Sequence, residues 1–335
     1  MLKLLSKIYE YIAIRRNQAY FSKKLRTYEC SVPVISVGNI SVGGSGKTPF
    51  TILLANELKK MGFLPAIIGR GYKKKKKGIV VLCDGINILS NAASGGDEML
   101  LIAEKTMLPV IACEKKYLAA RYAENNFDID VIIVDDGFQH LQLARNINIA
   151  LIASDDLQKP YTIPYGRLRE PLSSLSRADI ICITSDMLID NNTNKFYDNK
   201  IIIKYRKEIG TPYLIFNDDN NKGELAKDYK YVAFCGIANP ESFYKSLIEE
   251  GFNIEKFIMY KDHKFYRKFD IYRIIKLLKQ KNIKNLLTTE KDAVKINEYN
   301  HIFKRYSILV YAVPMEIIFD IDDYPKIFDF IYSKL

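Results

Sequence analysis

The sequence is poor in the residues that build metal-binding knuckles and disulfide frameworks. It has no tryptophan, three histidines and five cysteines in 335 residues. No two cysteines have the C-x-x-C spacing of a zinc site, and most lie in apolar, strand-like runs, which is typical of buried thiols in a reducing compartment. No internal repeat occurs at the periods of solenoid proteins. These absences argue against a zinc module, a disulfide-bonded framework and a repeat array.

The composition is that of an ordinary globular protein. Hydrophobic residues make up 48% and charged residues 27% of the chain, so extensive disorder is not expected. The length fits two domains of ~150 residues each, and either can bury its own core. The formal net charge of +11 suits nucleic acid, an anionic membrane surface or a merely lysine-rich composition, and charge alone does not separate these.

One stretch predicts a phosphate-binding loop. An apolar run at residues 34–37 suits a buried strand, glycines follow, and the stretch closes on Gly46, Lys47 and Thr48 before a segment with helical periodicity. Lys47 can reach the β- and γ-phosphates, and the Thr48 hydroxyl can bind the Mg²⁺ that bridges them. Ser41 stands where the general pattern has glycine. The alternative is a glycine-rich turn with a chance Lys-Thr pair.

Two adjacent acids follow a second buried run. The apolar residues 131–134 lead directly into Asp135 and Asp136. Acids at the carboxyl end of a parallel strand are where phosphate-loop enzymes hold Mg²⁺. Because Gly137 follows, an ordinary Asp-Gly turn is the alternative. The phosphate-binding loop favours the metal-binding interpretation.

Other titratable residues carry weaker signals. Asp97 and Glu98 begin a helical segment, where acids complement the helix dipole, and this structural role is favoured for the two residues taken alone. His263 follows Asp262 and suits an acid/base pair, with an exposed histidine in a charged loop as the alternative. Arg167 and Arg169 lie in a glycine- and proline-containing loop and suit anion binding, although surface arginines are common.

The first 27 residues predict an amphipathic helix. Leu5, Ile8, Tyr9 and Ile12 share one face, and the remaining segment is strongly basic. This pattern is typical of an interfacial helix, because the apolar run is too short to span a bilayer and no signal-peptide cleavage site follows. The alternative is a helix packed on the domain behind it. The five lysines at 73–77 predict a solvated hairpin loop that would also suit acidic lipid headgroups.

Taken together, the motifs resemble those of the tetraacyldisaccharide 4'-kinases of lipid A biosynthesis. The resemblance extends over nearly the whole chain and includes Ser41, which is the expected kind of residue in that family. Six motifs carry it in order: Val37-Gly38-Asn39-Ile40-Ser41-Val42-Gly43-Gly44-Ser45-Gly46-Lys47-Thr48-Pro49, Gly69-Arg70-Gly71-Tyr72, Gly96-Asp97-Glu98, Asp135-Asp136-Gly137-Phe138-Gln139-His140, Gly166-Arg167-Leu168-Arg169-Glu170 and Thr289-Glu290-Lys291-Asp292.

The resemblance implies an activity and a set of site residues. The γ-phosphate of ATP would pass to the 4'-hydroxyl of tetraacyldisaccharide 1-phosphate to give lipid IVA, with Mg²⁺ as the second cofactor. Asp97 would act as the base, paired with His263. The residues expected to bind ATP are Ser41, Val42, Gly43, Gly44, Ser45, Gly46, Lys47 and Thr48. Those expected to hold Mg²⁺ are Thr48, Glu98, Asp135 and Asp136. Those expected to contact the substrate are Arg70, Tyr72 and Arg169.

The resemblance also implies an architecture and a location. The expected fold is an α/β, P-loop NTPase-like α/β/α sandwich with a second, smaller α/β domain. Expected segments are a membrane-associating helix (1–27), a kinase domain (28–199), a β-strand linker (200–218) and a C-terminal α/β domain (219–335). The protein would be a monomer at the cytoplasmic face of the bacterial inner membrane. Its partners would be the lipid substrate and the membrane surface, not nucleic acid.

One position departs from the family and two other functions stay open. Where the family leads us to expect an arginine, the chain has Lys115 and Lys116, and neither is assigned to the site because lysine lacks the bidentate fork of arginine. A phosphate-loop NTPase that couples hydrolysis to a membrane or protein partner is the first alternative, although no Asn-Lys-x-Asp guanine motif is found. The second is a membrane-surface binding module with a regulatory nucleotide site, for which Asp97 and His263 would be dispensable.

Overall fold

The structure is a computed structural model that describes residues 1–185, 199–216 and 225–335. Residues 186–198, near the end of the predicted kinase domain, and the predicted boundary at 218/219 lie outside the described residues. The strands are β1 (Val34–Asn39), β2 (Pro65–Gly69), β3 (Val80–Asp84), β4 (Pro109–Ala112), β5 (Val131–Val134), β6 (Ile147–Ile152), β7 (Ile180–Thr184), β8 (Ile201–Ile209), β9 (Tyr213–Leu214), β10 (Lys230–Cys235), β11 (Asn253–Met259), β12 (Asn285–Thr289), β13 (Leu309–Val313) and β14 (Met315–Phe319). The helices are α1 (Leu2–Phe21), α2 (Lys47–Lys60), α3 (Ala92–Gly95), α4 (Asp97–Thr106), α5 (Lys116–Asn126), α6 (Ser154–Gln158), α7 (Pro240–Glu249), α8 (Lys268–Gln280), α9 (Glu290–Ile296), α10 (Asn300–Arg305) and α11 (Asp323–Tyr332).

Within the described residues, nine strands form the larger sheet in the order β14-β8-β7-β6-β1-β5-β2-β4-β3. β1 lies in its interior and pairs in parallel with β5 and β6. Every residue of β1 and β5 is buried, which suits a parallel sheet covered on both faces. Parallel neighbours end at the same edge of the sheet. The loop after β1 and the acids after β5 are therefore brought together by topology alone.

Side chains alternate between the two faces of this sheet. Ile35 and Ile133 pack in the core that also contains residues of α2, α4 and α11. Val34 and Ile132, one residue earlier on each strand, pack with α5 on the opposite face. This alternation follows from the two-residue period of a strand. The result is a sheet with helices on both sides, and the predicted α/β fold class is confirmed.

The smaller sheet has the order β11-β10-β12-β13-β9 within the described residues. β10, β11, β12 and β13 are parallel, and only β9 runs antiparallel to its neighbour. One of its faces packs against α8 and α10, and the other packs against α7. The loop between β11 and α8, which carries His263, leaves the carboxyl edge of this sheet.

The chain returns to the larger sheet after β13. β14 pairs antiparallel with β8, and Ile317 of β14 packs in the same core as Ile203 of β8 and Ile327 of α11. The predicted domain boundaries at 27/28 and 199/200 remain predictions. Residues 315–335 fall in the predicted C-terminal segment by number, but they pack on the larger sheet.

Helix α1 lies on the larger domain through its polar residues. Buried Ser6 donates from Oγ to the Thr162 carbonyl at 2.8 Å, and buried Asn17 donates from Nδ2 to Glu170 Oε2 at 3.2 Å. Of the face predicted to be apolar, Leu5, Ile8 and Ile12 are exposed and Tyr9 is half-buried. None of the helices in the described part of the chain has the length and apolarity needed to cross a bilayer. In the described part of the chain, three of the four residues of this face are thus open to solvent.

Candidate active site

The phosphate-binding loop spans residues 40–46 between β1 and α2. Gly46 has a φ of 84° and Gly43 a φ of 122°, a region that favours glycine over any other residue. A Cβ atom on Gly43 would also come within 2.6 Å of Arg167 Nη2. Because α2 begins at Lys47, its free N–H groups point into the loop, as anion-binding helix ends require.

Hydrogen bonds from side chains fix the shape of this loop. Asn39 Nδ2 donates to Ser45 Oγ at 2.9 Å, and the Tyr205 hydroxyl of β8 donates to the Ser45 carbonyl at 2.9 Å. Ser41 Oγ donates to Asp156 Oδ2 at 2.9 Å. The serine that departs from the general glycine pattern is therefore a buried hydrogen-bond donor. It anchors the loop to α6, the short helix that follows β6.

Lys47 and Arg169 both contact Asp136. Lys47 Nζ lies 3.7 Å from Asp136 Oδ1, and Arg169 Nη1 lies 3.1 and 2.9 Å from the two carboxylate oxygens. Burial alone would raise the pKa of Asp136, but Lys47, Lys116 and Arg169 outweigh it and hold that pKa well below its usual range. Asp136 is therefore ionised at neutral pH, with its charge balanced by the loop lysine.

Asp135 occupies a different environment one residue earlier. It is buried, and Thr51 of α2 donates from Oγ1 to its Oδ1 at 3.0 Å. Burial raises the pKa of Asp135 to about 6, repulsion from Glu98 and Asp136 adds to the rise, and the charges of Lys116 and Lys47 oppose it. A buried carboxylate crowded by two others favours the arrival of a cation.

Lys116 lies beneath both acids, although sequence reasoning left it out of the site. Its Nζ donates to the Asp135 carbonyl at 2.6 Å and also to the Asp136 carbonyl. Its backbone N–H donates to His140 Nε2 at 3.2 Å. Burial lowers the pKa of Lys116 to about 8, and burial followed by the Lys116 charge lowers the pKa of His140 to about 3. This lysine holds the turn that presents Asp135 and Asp136.

Replacing Lys116 with methionine is expected to lower the free energy of unfolding by roughly 1–3 kcal/mol, because two buried carbonyl groups lose their donor. Urea denaturation measures this change. The matched control is Lys115→Met, since Lys115 is the exposed neighbour and a surface substitution typically changes stability by less than about 0.5 kcal/mol. Equal stability of the two variants would show that Lys116 does not support the turn.

Asp97 and His263 connect the two sheets, because α4 packs on the larger sheet and His263 lies in the loop after β11 of the smaller one. Asp97, only 5% exposed at the start of α4, has its carboxylate oxygens 3.1 and 3.0 Å from His263 Nδ1. The backbone of His263 has a φ of 55°. Its N–H donates to the Gly236 carbonyl at 3.1 Å, which fixes the position of the residue. Burial would raise the pKa of Asp97, but the hydrogen bond from His263 and the charges of Lys291 and Lys295 lower it to about 2.

Charged and aromatic residues surround this pair. Glu98 forms an ion pair with Lys291 at 3.0 Å, and Lys295 Nζ lies 3.5 Å from Asp97 Oδ2. The half-exposed Tyr72 ring packs against the His263 ring at an angle of 54°, with 4.7 Å between centroids. Arg70, also exposed, follows β2 at the same edge of the sheet. Its positive charge contributes to the lowered pKa values of Lys116 and His140. Contacts thus join Asp97, Tyr72 and His263, which come from separate parts of the sequence.

Comparison with known proteins decides the family. A family model described as "LpxK: Tetraacyldisaccharide-1-P 4'-kinase" matches residues 1–334. The chain belongs to the LpxK family. The tetraacyldisaccharide 4'-kinase of Halothermothrix orenii is 37% identical over 345 residues, covering 95% of this chain and 88% of that protein. The protein of the same name from Aquifex aeolicus is 34% identical over 308 residues, covering 89% and 90%.

A solved LpxK structure has the same fold. The crystal structure of the "apo" form of LpxK from Aquifex aeolicus in complex with ATP superposes with a TM-score of 0.79 at 31% identity, covering 98% of this chain and 96% of that one. The family indicated by the sequence motifs and the predicted P-loop NTPase-like fold are both confirmed. As a member of the LpxK family, the chain is a kinase.

The residues of this LpxK family member offer oxygen ligands for Mg²⁺. In the described part of the chain no three His, Cys, Asp or Glu residues are grouped closely enough to hold a metal alone. Mg²⁺ is usually bound by one or two carboxylates together with substrate phosphates, so a smaller set suffices. The raised pKa of Asp135 beside Glu98 and Asp136 fits this demand, because a cation would relieve their repulsion. Within the described residues, Thr48 Oγ1 makes no hydrogen bond and lies at the start of α2.

Proposed function

We propose that this chain transfers the γ-phosphate of ATP to the 4'-hydroxyl of tetraacyldisaccharide 1-phosphate, giving lipid IVA in lipid A biosynthesis. One observation carries the proposal. The larger sheet carries the phosphate-binding loop, its paired acids and α4, and Asp97 at the start of α4 contacts His263, in the loop after β11 of the smaller sheet, at 3.0 Å. Membership of the LpxK family supports the choice of acceptor.

The phosphate-binding loop and the start of α2 bind the transferred phosphate and neutralise its charge. The free N–H groups at the start of α2 and the Lys47 ammonium would contact the phosphate oxygens. Lys47 pairs with Asp136 at 3.7 Å, and Arg169 also pairs with Asp136. Arrival of the triphosphate would therefore redirect a lysine that already lies at the loop. Arg70, Tyr72 and Arg169 are proposed to contact the anionic disaccharide.

The Asp97 carboxylate accepts the proton of the acceptor hydroxyl. The bond from the sugar oxygen to the γ-phosphorus forms, the bond from that phosphorus to the β,γ-bridging oxygen breaks, ADP leaves, and the proton passes to Asp97. Because its pKa is lowered to about 2, Asp97 is ionised before transfer and takes the proton only late, as the hydroxyl becomes acidic. Most of the acceleration then comes from positioning and charge neutralisation.

Thr48, Glu98, Asp135 and Asp136 would hold Mg²⁺ in this proposal. The ion would supply positive charge that offsets the charge of the phosphates. Within the chain itself, Thr51 orients Asp135 and Lys116 orients the turn that carries both acids.

Mg²⁺ affinity is expected to fall roughly tenfold between about pH 7.5 and about pH 5. The pKa of Asp135 is raised to about 6 in the folded protein, so the carboxylate becomes protonated as the pH falls through that value and no longer favours a cation. Isothermal titration calorimetry in the presence of ATP measures the affinity. In Asp135→Asn the affinity should be weak at both pH values and nearly independent of pH. A wild-type affinity that is equally strong at both values would contradict this role.

We further propose that α1 rests on the cytoplasmic face of the bacterial inner membrane. Its exposed apolar face and its surplus of cations suit an interfacial helix, and its polar face is already used for packing. The protein would act there as a monomer. This placement would bring the proposed site to a substrate whose acyl chains lie in the bilayer.

Replacing Leu5, Ile8 and Ile12 together with serine is expected to reduce binding to anionic vesicles at least ~10-fold, because three large side chains no longer enter the lipid. Sedimentation with vesicles measures the bound fraction. The matched control is serine at Ile86, Ile88 and Leu89, three exposed apolar residues in the turn after β3. Equal loss in both variants would contradict a specific role for α1.

Incubation with ATP, Mg²⁺ and tetraacyldisaccharide 1-phosphate in detergent tests the activity. Mass spectrometry should show a lipid product heavier by one phosphate group, with the new group on the 4'-oxygen. The alternative, a phosphate-loop NTPase that couples hydrolysis to a membrane or protein partner, would release inorganic phosphate and leave the lipid unchanged.

A further inference from the structure

Lys291 lies between the two halves of the proposed site. It is near the start of α9, and its Nζ is 3.0 Å from Glu98 Oε1, 3.2 Å from His263 Nε2 and 3.7 Å from Asp262 Oδ1. Its side chain is only 19% exposed, so these contacts are made largely out of water. None of the functions derived above uses the contact with His263.

The chemistry of an ammonium group decides how this contact is made. Lysine carries three N–H donors and no acceptor. The hydrogen bond to His263 Nε2 therefore needs a lone pair on that nitrogen. In a neutral imidazole the proton is then on Nδ1, and Nδ1 is the atom that faces both carboxylate oxygens of Asp97. An imidazolium ring would turn an Nε2–H group toward the lysine, so that two donors would face each other.

We propose that Lys291 is a positioning residue, which holds His263 in the tautomer whose Nδ1–H donates to Asp97. The catalytic meaning of this tautomer rests on the proposed function. With Nδ1 already protonated, His263 cannot take the substrate proton from Asp97 through that nitrogen. His263 therefore orients the carboxylate and does not relay the proton during the transfer step.

The neighbouring lysine on the same helix serves a different purpose. Lys295 lies one turn further along α9, and its Nζ is 2.7 Å from Asp292 Oδ1 and 3.5 Å from Asp97 Oδ2. It faces carboxylates and sets the charge around Asp97. Of the two lysines, Lys291 is the one whose Nζ lies within hydrogen-bond distance of His263 Nε2, where Asp262 Oδ2 is further away at 3.8 Å. Removal of Lys291 should therefore free Nε2 to carry the proton.

Nitrogen NMR of ¹⁵N-histidine-labelled protein at neutral pH reads the tautomer directly. The chain has only three histidines, and the signals of His263 are those lost in His263→Gln. The wild type should show a protonated Nδ1 and an unprotonated Nε2. Lys291→Met should shift His263 to a mixture that includes the Nε2–H form, whereas Lys291→Arg, which keeps N–H donors, should retain the wild-type pattern.

Kinetics of the same variants provide the second measurement. Lys291→Met should lower kcat roughly 10- to 100-fold, the range typical of residues that orient an active-site ligand, with the KM for ATP nearly unchanged. Lys291→Arg should recover most of the loss. The matched control is Lys276→Met, the same substitution at an exposed position of α8, and it should behave as the wild type.

Several results would overturn the proposal. A wild-type His263 with its proton on Nε2 contradicts it at once, and so does a Lys291→Met protein that keeps both the wild-type tautomer and the wild-type kcat. A loss of kcat with the tautomer unchanged would make Lys291 merely structural. If the wild type fails to phosphorylate the lipid, the proposed function fails, and the NMR measurement, which needs no turnover, still decides the tautomer.

Discussion

Asp97→Asn is expected to lower kcat by at least ~10², the lower range for loss of a general base, while the Kd for ATP stays close to that of the wild type. The amide oxygen can still accept the hydrogen bond from His263, so the pair keeps its geometry. The amide cannot accept the hydroxyl proton. Single-turnover measurements with saturating ATP separate this chemical step from binding.

The matched control is Asp128→Asn, the same substitution at an exposed acid after α5, which should leave kcat unchanged. Loss of ATP or Mg²⁺ binding in Asp97→Asn, instead of loss of kcat, would make Asp97 part of the metal site. Retention of full activity would remove Asp97 from the mechanism.

Lys47→Met is expected to lower kcat/KM by about 10³, similar to the loss of a group that stabilises developing charge. The Lys47 ammonium lies 3.7 Å from the Asp136 carboxylate, whereas Lys116 contacts the backbone carbonyl of Asp136. Arg169 keeps its contact with Asp136 in the variant, so the acid retains a partner. Initial rates over a range of ATP concentrations measure the effect.

Lys60→Met supplies the control on the same helix. Lys60 lies at the end of α2 and forms only a surface ion pair with Glu57, which contributes little to stability. Its loss should leave kcat/KM within about twofold of the wild type. An equal effect of the two substitutions would mean that the charge of α2, and not the position of Lys47, controls activity.

Local sequence patterns predicted much of this molecule because each rests on a short-range rule. The apolar runs of β1 and β5, the glycines at 43 and 46 and the helix that begins at Lys47 follow from periodicity and backbone freedom. Parallel pairing of β1 with β5 then brings Asp135 to the loop. The resemblance to a family supplied the pairing of Asp97 with His263, which 166 residues separate and no local rule predicts.

The features that sequence reasoning missed depend on contacts distant in the chain. Lys116 was set aside because it replaces an expected arginine, yet its ammonium reaches two carbonyl groups that only the folded turn brings together. Lys291 lies in a motif that was recognised, but its contact with His263 requires the second sheet to be in place. The return of β14 to the larger sheet likewise depends on its pairing with β8.

The most direct test of the account measures ADP release and lipid phosphorylation in one reaction. Wild-type protein is given γ-labelled ATP, Mg²⁺ and tetraacyldisaccharide 1-phosphate in detergent, beside Asp97→Asn and Lys47→Met. We expect one labelled lipid for each ADP formed by the wild type, and almost no labelled lipid from either variant. Release of ADP and labelled inorganic phosphate without labelled lipid would contradict the account and establish an NTPase instead.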